Sequence, residues 1–135
     1  MMKDIAFTCD MEVRDYECDL QGIVNNSVYQ NYLEHTRHTY IKSLGLDFAV
    51  LSEKGINLVV KRVEIDYQTP LKRGDEFTSV LKMERLSPLR FGFVQHIYRI
   101  PDNKLVIKAL VVGTAINQRG RPELTDDLIK VWGLD

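Results

Sequence analysis

The chain reads as an α+β protein, one long helix lying against a five-stranded antiparallel sheet. Two observations carry that reading. The stretch Val28 to Leu44 holds a helical period longer than any other in the chain. From Ile56 onward the apolar period falls to two, in strands parted by short turns. Strand, long helix, then four strands is the order of an α+β layer arrangement.

Taken in order, Ile5 to Arg14 mixes apolar and charged residues without a helical period and stops at the polar turn Asp15-Tyr16-Glu17, as a first strand should. The helix follows. Val28, Tyr32, Thr36, Tyr40 and Leu44 recur at steps of four, and Tyr29, Leu33, Arg37 and Ile41 fill the adjacent line. At 1.5 Å per residue the rod is about 25 Å long, enough to cross a small domain. Ser27 with Gln30 three residues later forms a possible capping box, and Asn25 or Asn26 can cap instead. Gly45 is a left-handed stop, and Asp47 to Lys54, closed by Gly55, reads as one or two further helical turns.

The second strand runs from Ile56 to Pro70, half-buried, with Val59, Val63, Ile65 and Tyr67 on one face and Arg62, Glu64, Asp66 and Gln68 on the other. Leu71 to Asp75 is a turn with Gly74 at its tip. Phe77 to Leu86 alternates until Ser87-Pro88, and Phe91 to Ile100 is followed by the tight connection Pro101 to Lys104. Leu105 to Asn117 is apolar enough for a central strand buried on both faces. Leu124 to Leu134 forms a tail with a helical turn begun at Thr125. Turns this short predict that the last four strands are antiparallel neighbours. The wide apolar stripe of the helix requires the sheet to curl around it.

Composition narrows the classes of function. The 135 residues suit one domain with its own core, taken here as residues 1–135. A formal net charge of -1 gives no electrostatic reason to expect nucleic acid or an anionic membrane. Cys9 and Cys18 are unpatterned, which suits a reducing compartment and no zinc site. MMKDIAFTCD lacks an apolar signal core and no run is long enough to span a bilayer, so a cytoplasmic protein is expected.

The chemistry gathers at the head of the helix. The run Asp19-x-x-Gly22-Ile23-Val24-Asn25-Asn26-x-x-Tyr29, continuing to Glu34 and Arg37, resembles the 4-hydroxybenzoyl-CoA thioesterase family of the hot-dog fold, and Tyr67 to Phe77 is similar to its strand-turn-strand segment. The resemblance implies a long central helix wrapped by a curled five-stranded antiparallel sheet. It implies an acyl-CoA or acyl-ACP thioesterase in which Asp19 acts on the thioester carbonyl as nucleophile or as general base for water. The backbone N–H of Asn26 matches in place the group that polarises that carbonyl. A helix start agrees physically, because its unpaired N–H groups and partial positive charge stabilise an oxyanion. Gly22, Val24, Asn25 and Tyr29 are the expected substrate contacts, with Arg85 and Arg90 as docking points for CoA phosphates. No cofactor or metal is implied. The family further implies a homodimer or homotetramer with sites between subunits.

Many relatives carry Tyr-His where this chain has Asn25-Asn26, and Gln21 replaces a small residue before the glycine. Asn-Asn occurs in the acyl-ACP thioesterases. Each candidate also has a plainer reading. Asp19 and the two asparagines are ordinary cap or turn residues, and Tyr29 and Tyr32 are core or interface aromatics. Glu34 and Arg37 are an i,i+3 ion pair. His35 and His38 lack the further ligands a metal needs, and His96 is a satisfied strand histidine. Lys72, Arg73, Arg85 and Arg90 are solvated charges. A non-catalytic acyl-CoA or acyl-lipid binder is the second functional reading, and a hot-dog dehydratase the third.

Overall fold

The computed structural model describes every residue except Asp47, with Phe48 described by its backbone alone. Strand β1 covers Phe7–Glu12, helix α1 Asn26–Ser43 and helix α2 Phe48–Glu53. Strands β2 (Asn57–Tyr67), β3 (Glu76–Ser87), β4 (Arg90–Ile100) and β5 (Lys104–Ile116) follow, then helix α3 at Asp126–Val131. Of the helical turns expected over Asp47 to Lys54, Asp47 lies outside the described residues and the rest forms α2.

All strand pairings are antiparallel, but the sheet order is β1-β3-β4-β5-β2. The expectation that the last four strands sit side by side in sequence order therefore fails at one place. β2 crosses to the far edge and pairs with β5, leaving β3 to pair with β1 and β4. The link between β2 and β3 is not a hairpin turn: Leu71 and Lys72 are held by Val24 and Ile23 from the loop ahead of α1.

The β2 strand also breaks its own period. Val60 pairs with Gly113 and Arg62 with Val112, so Lys61 is an extra, bulged residue. The bulge puts Leu58 and Val60 on the same face as Val63, Ile65 and Tyr67, opposite Ala115, Gly113, Val111, Ala109 and Ile107. Val59, expected on that face, goes to the other. The strand is more open than expected, with Val60 50%, Tyr67 48% and Val63 38% exposed.

Helix α1 buries the stripe that its spacing predicts: Tyr29, Tyr32, Leu33, Thr36, Tyr40 and Ile41 are all buried. Its first half packs with Val13, Val24, Leu71, Phe77 and Ile97, and its second half with Leu81, Phe91, Phe93, Val111 and Trp132. Complete burial of a side chain such as Phe77 or Ile97 is worth about 1.5–3 kcal/mol. The polar residues inside this core are satisfied. Thr36 Oγ1 donates to the Tyr32 carbonyl at 2.9 Å and lies 2.7 Å from Ser79 Oγ, while Gln95 Nε2 donates to the Leu33 carbonyl at 3.1 Å. Strand β5 is interior and largely buried, as expected, with Lys108 open on the face away from the helix. Thr125 caps α3, accepting from the Leu128 N–H at 3.3 Å.

Candidate active site

Asp19 stands in a small hairpin built by the backbone just ahead of α1. Cys18 bridges to Val24, the Asp19 N–H donates to the Ile23 carbonyl at 2.9 Å, and the Gly22 N–H donates to the Asp19 carbonyl at 3.0 Å. Gly22 takes φ +78°, and a Cβ there would meet nothing within 4 Å. Backbone conformation, not space, therefore calls for glycine. Val24 donates to the Leu71 carbonyl and Arg73 to the Gly22 carbonyl, each at 3.0 Å, so the hairpin is fixed on both sides.

The Asp19 carboxylate is exposed, and one of its oxygens is already used. Oδ1 accepts from the Gln21 N–H at 2.9 Å and the Ile23 N–H at 3.2 Å. Among the described residues Oδ2 accepts from no donor. Oδ1 thus closes the turn as a plain turn acid does, while Oδ2 has no such part in it.

The helix start is open. Asn25 has the extended backbone of an N-cap (φ −63°, ψ 140°), yet its side chain makes no capping hydrogen bond. Nor does the Ser27–Gln30 box form: Val28 donates to the Asn25 carbonyl at 2.9 Å instead. Among the described residues the N–H groups of Asn26 and Ser27 find no acceptor, and both residues are exposed. They carry the partial positive end of an 18-residue helix. No hydrogen bond joins Asp19 to Asn26. The Asn25 N–H donates to the Glu17 carbonyl at 3.1 Å, which sets the hairpin stem beside the helix start.

Beneath the hairpin lies a residue that the sequence reading assigned only to a polar turn. Glu17 is 8% exposed, and its Oε1 accepts from the Tyr32 hydroxyl at 2.9 Å and the Arg14 N–H at 2.8 Å. Burial, then the bond to Glu17, raises the Tyr32 hydroxyl well above its ordinary range, so it stays a donor. Val24 and Tyr29 are buried as well. Tyr29 accepts from the Leu71 N–H at 2.9 Å, and its hydroxyl is raised chiefly by burial. These two expected contacts brace the site from below. Tyr67, from β2, reaches the same place: its hydroxyl donates to the Asn26 carbonyl at 3.5 Å and its ring lies 5.6 Å from that of Tyr29.

From Tyr67 the helix-facing row of β2 runs beside α1 through Ile65 and Val63 to Val60. Beyond it opens a cavity of about 130 Å³ between α1 and the β2–β5–β4 floor, lined by Glu34, Arg37, Val60, Phe91, Phe93 and Gly113 among others. A Cβ at Gly113 would lie 2.8 Å from the Phe91 ring and 3.1 Å from the Val59 carbonyl. Glu34 and Arg37 do not form the expected i,i+3 pair. Arg37 turns inward, donating from Nη1 to Gln95 Oε1 at 3.2 Å and lying 5.9 Å over the Phe93 ring.

The two basic candidates lie elsewhere. Arg85 donates to the carbonyls of Ser87 and Pro88 in the β3–β4 turn, at 3.4 and 3.2 Å. Arg90 lines a second cleft with Lys61 and Arg62. The start of β3 adjoins the Asp19 hairpin, so its far end, with Arg85, is about 30 Å away along the strand. Within one chain neither arginine is brought to Asp19. No described helix is long and apolar enough to cross a membrane.

The model of the thioesterase-like superfamily matches residues 13–131. A chloroplast acyl-acyl carrier protein thioesterase of Arabidopsis thaliana is 32% identical over 113 residues, covering 84% of this chain. The match spans 60% of that plant protein's length. A putative esterase of Aquifex aeolicus is 32% identical over 95 residues, covering 70% of this chain and 74% of its own. In three dimensions a 1,4-dihydroxy-2-naphthoyl-CoA thioesterase of Synechocystis superposes with a TM-score of 0.84 at 18% identity, covering 92% of each chain. The curled antiparallel sheet around its helix is thus the hot-dog fold, and the chain belongs to the thioesterase-like superfamily.

Proposed function

We propose that the protein hydrolyses acyl thioesters of CoA or acyl carrier protein to the free acid and thiol. The single observation that carries this is the open first turn of α1 beside a carboxylate with a free oxygen. The thioester carbonyl docks on the N–H of Asn26, whose donor strengthens its hold as negative charge develops on the oxygen. Asp19 Oδ2 attacks the carbonyl carbon to give an acyl anhydride that water then cleaves to the free acid, or it takes a proton from a water that attacks directly, while Oδ1 stays bonded to the hairpin. The thiolate leaves and is protonated by solvent. Gly22 and the exposed Asn25 contact the substrate, with Val24 and Tyr29 supporting them. Superfamily membership and the plant acyl carrier protein thioesterase support the reaction class; the Asp19 to Tyr29 motif supports the 4-hydroxybenzoyl-CoA branch.

A dimer is the form proposed with this reading. β2 is an edge strand eleven residues long that leaves Val60, Val63 and Tyr67 exposed, the kind of edge that pairs with another chain. Antiparallel pairing of two β2 edges about a two-fold axis makes one continuous sheet. It also sets the start of the partner's β2 beside the Tyr67 end of this chain, next to the helix start. A homodimer, or a tetramer of such dimers, in the cytoplasm is the proposed working form.

The test is thiol release from a panel of acyl-CoAs and acyl carrier protein thioesters by the wild type and by Asp19→Asn. Loss of an essential base or nucleophile lowers the rate at least about a hundredfold. Saturable binding without turnover by the wild type would assign the protein to the non-catalytic binders instead.

A further inference from the structure

The cavity beside Glu34 and Arg37 is built in a way that hydrolysis alone does not require. Its volume, about 130 Å³, is close to the roughly 150 Å³ that holds a benzene molecule. It therefore admits the last few carbons of a chain. Its walls at Val60, Phe91 and Phe93 are apolar, and Phe91 and Phe93 are themselves backed by the Trp132 ring, 4.7 and 6.3 Å away. Into this apolar space the fold turns a guanidinium that has no carboxylate partner among the described ion pairs.

Arg37 is held there on purpose-built support. Gln95 is fully buried, its amide nitrogen spoken for by the Leu33 carbonyl and its oxygen by Arg37 Nη1. That arrangement orients the guanidinium while using one of its five donors. Glu34, on the adjacent turn and also lining the cavity, accepts no hydrogen bond among the described residues. Arg37 and Glu34 thus face one small space walled by Val60, Phe91 and Phe93 without a hydrogen bond between them, and His38 from the next turn lines it too.

We propose that this cavity receives the far end of the acyl chain and selects a chain that ends in a hydroxyl group. This inference rests on the thioesterase reading. A hydroxyl accepts from Arg37 and donates to Glu34, satisfying both. A plain methyl end strips water from the guanidinium and returns nothing, and a carboxylate end gains Arg37 but is repelled by the charge of Glu34. Arg37 is eleven positions beyond Asn26, about 16 Å along the helix, so the carbonyl at the helix start and the hydroxyl at the cavity are separated by roughly a dozen carbons. The β2 row from Tyr67, which touches Asn26, to Val60, which lines the cavity, spans the same interval.

The experiment measures binding and turnover separately. Calorimetry compares dodecanoic, 12-hydroxydodecanoic and dodecanedioic acids on the wild type, Arg37→Met and Glu34→Ala. Thiol release is followed with the matching acyl-CoAs. The wild type is expected to hold the hydroxy acid at least about tenfold more tightly than the plain acid, the size of one hydrogen bond to a charged group. Arg37→Met should erase or reverse that preference. Glu34→Ala, at an exposed position, should weaken it several-fold and admit the diacid. Equal binding of the hydroxy and plain acids to the wild type overturns the proposal, as does a preference that survives both substitutions. If the preference is present but no acyl-CoA is hydrolysed, the cavity inference stands and the thioesterase reading falls.

Discussion

The first turn of α1 and the stretch from Leu33 to Arg37 belong to one helix and treat their polar groups in opposite ways. At the first turn the N–H groups of Asn26 and Ser27 are exposed and unfilled, and the side chain of Asn25 declines to cap them. Three turns on, Thr36, Ser79 and Gln95 are all 0% exposed, and each is hydrogen-bonded. Buried polar groups must be satisfied or they cost stability, whereas exposed ones can wait for a ligand. One end of the helix therefore offers free donors, and its middle is closed by its own partners. Arg37 stands where the two treatments meet, anchored at one nitrogen and open at the rest.

The contrast can be broken most sharply at Asp19. Asp19→Asn keeps the Oδ1 acceptor that closes the hairpin, so activity should fall at least about a hundredfold while the melting temperature stays near that of the wild type. A parallel loss of both would make Asp19 a structural residue. The reverse pattern is expected at Gln95→Leu, which removes the bonds to Leu33 and Arg37 from the closed region. Urea unfolding should show a loss of about 2 kcal/mol, whatever happens to turnover. Gly22→Ala tests the hairpin itself. A left-handed backbone with a Cβ costs about 1 kcal/mol, and rates should fall with the displaced acid. The smallest effect is predicted at Asn25→Ala. An N-cap change ordinarily costs about 1 kcal/mol, but this side chain makes no capping bond, so stability should move by less than about half of that. A full capping loss would mean that the first-turn donors are filled, and would remove the proposed oxyanion site.

Much of the fold was legible because local periods govern it. The α1 stripe needed only a spacing of three and four, and Gly45 marked its end. The strands after Ile56 were found for the same reason. What escaped was set by contacts between distant residues. Sheet order is one such case, since nothing in β2 itself says that it must cross to β5. The bulge at Lys61 is another: a continuous period of two placed Val59 on the wrong face, and only pairing with Gly113 and Val112 shows the extra residue. At the site, the hairpin acid and the helix start are neighbours in sequence and could be read there. Arg37 turning to Gln95, across 58 positions, could not. An i,i+3 rule gave it Glu34 as partner because that rule sees one helix and not the sheet beneath. Glu17 was passed over for a like reason: its burial under Tyr32 comes from the fold, not from the turn that contains it.

One position in the floor of the cavity has a practical consequence. Gly113 pairs with Phe91 across the sheet, and the missing Cβ is the room into which that ring leans. Since a methyl there would also face the Val59 carbonyl, the strand cannot simply slide away from it, and the ring is what must yield. The absence of one methyl group at position 113 thus works as an aperture setting. Adding it would narrow the chamber from below without altering a single charge, a means of retuning which chain lengths enter while Arg37 and Asp19 are left untouched.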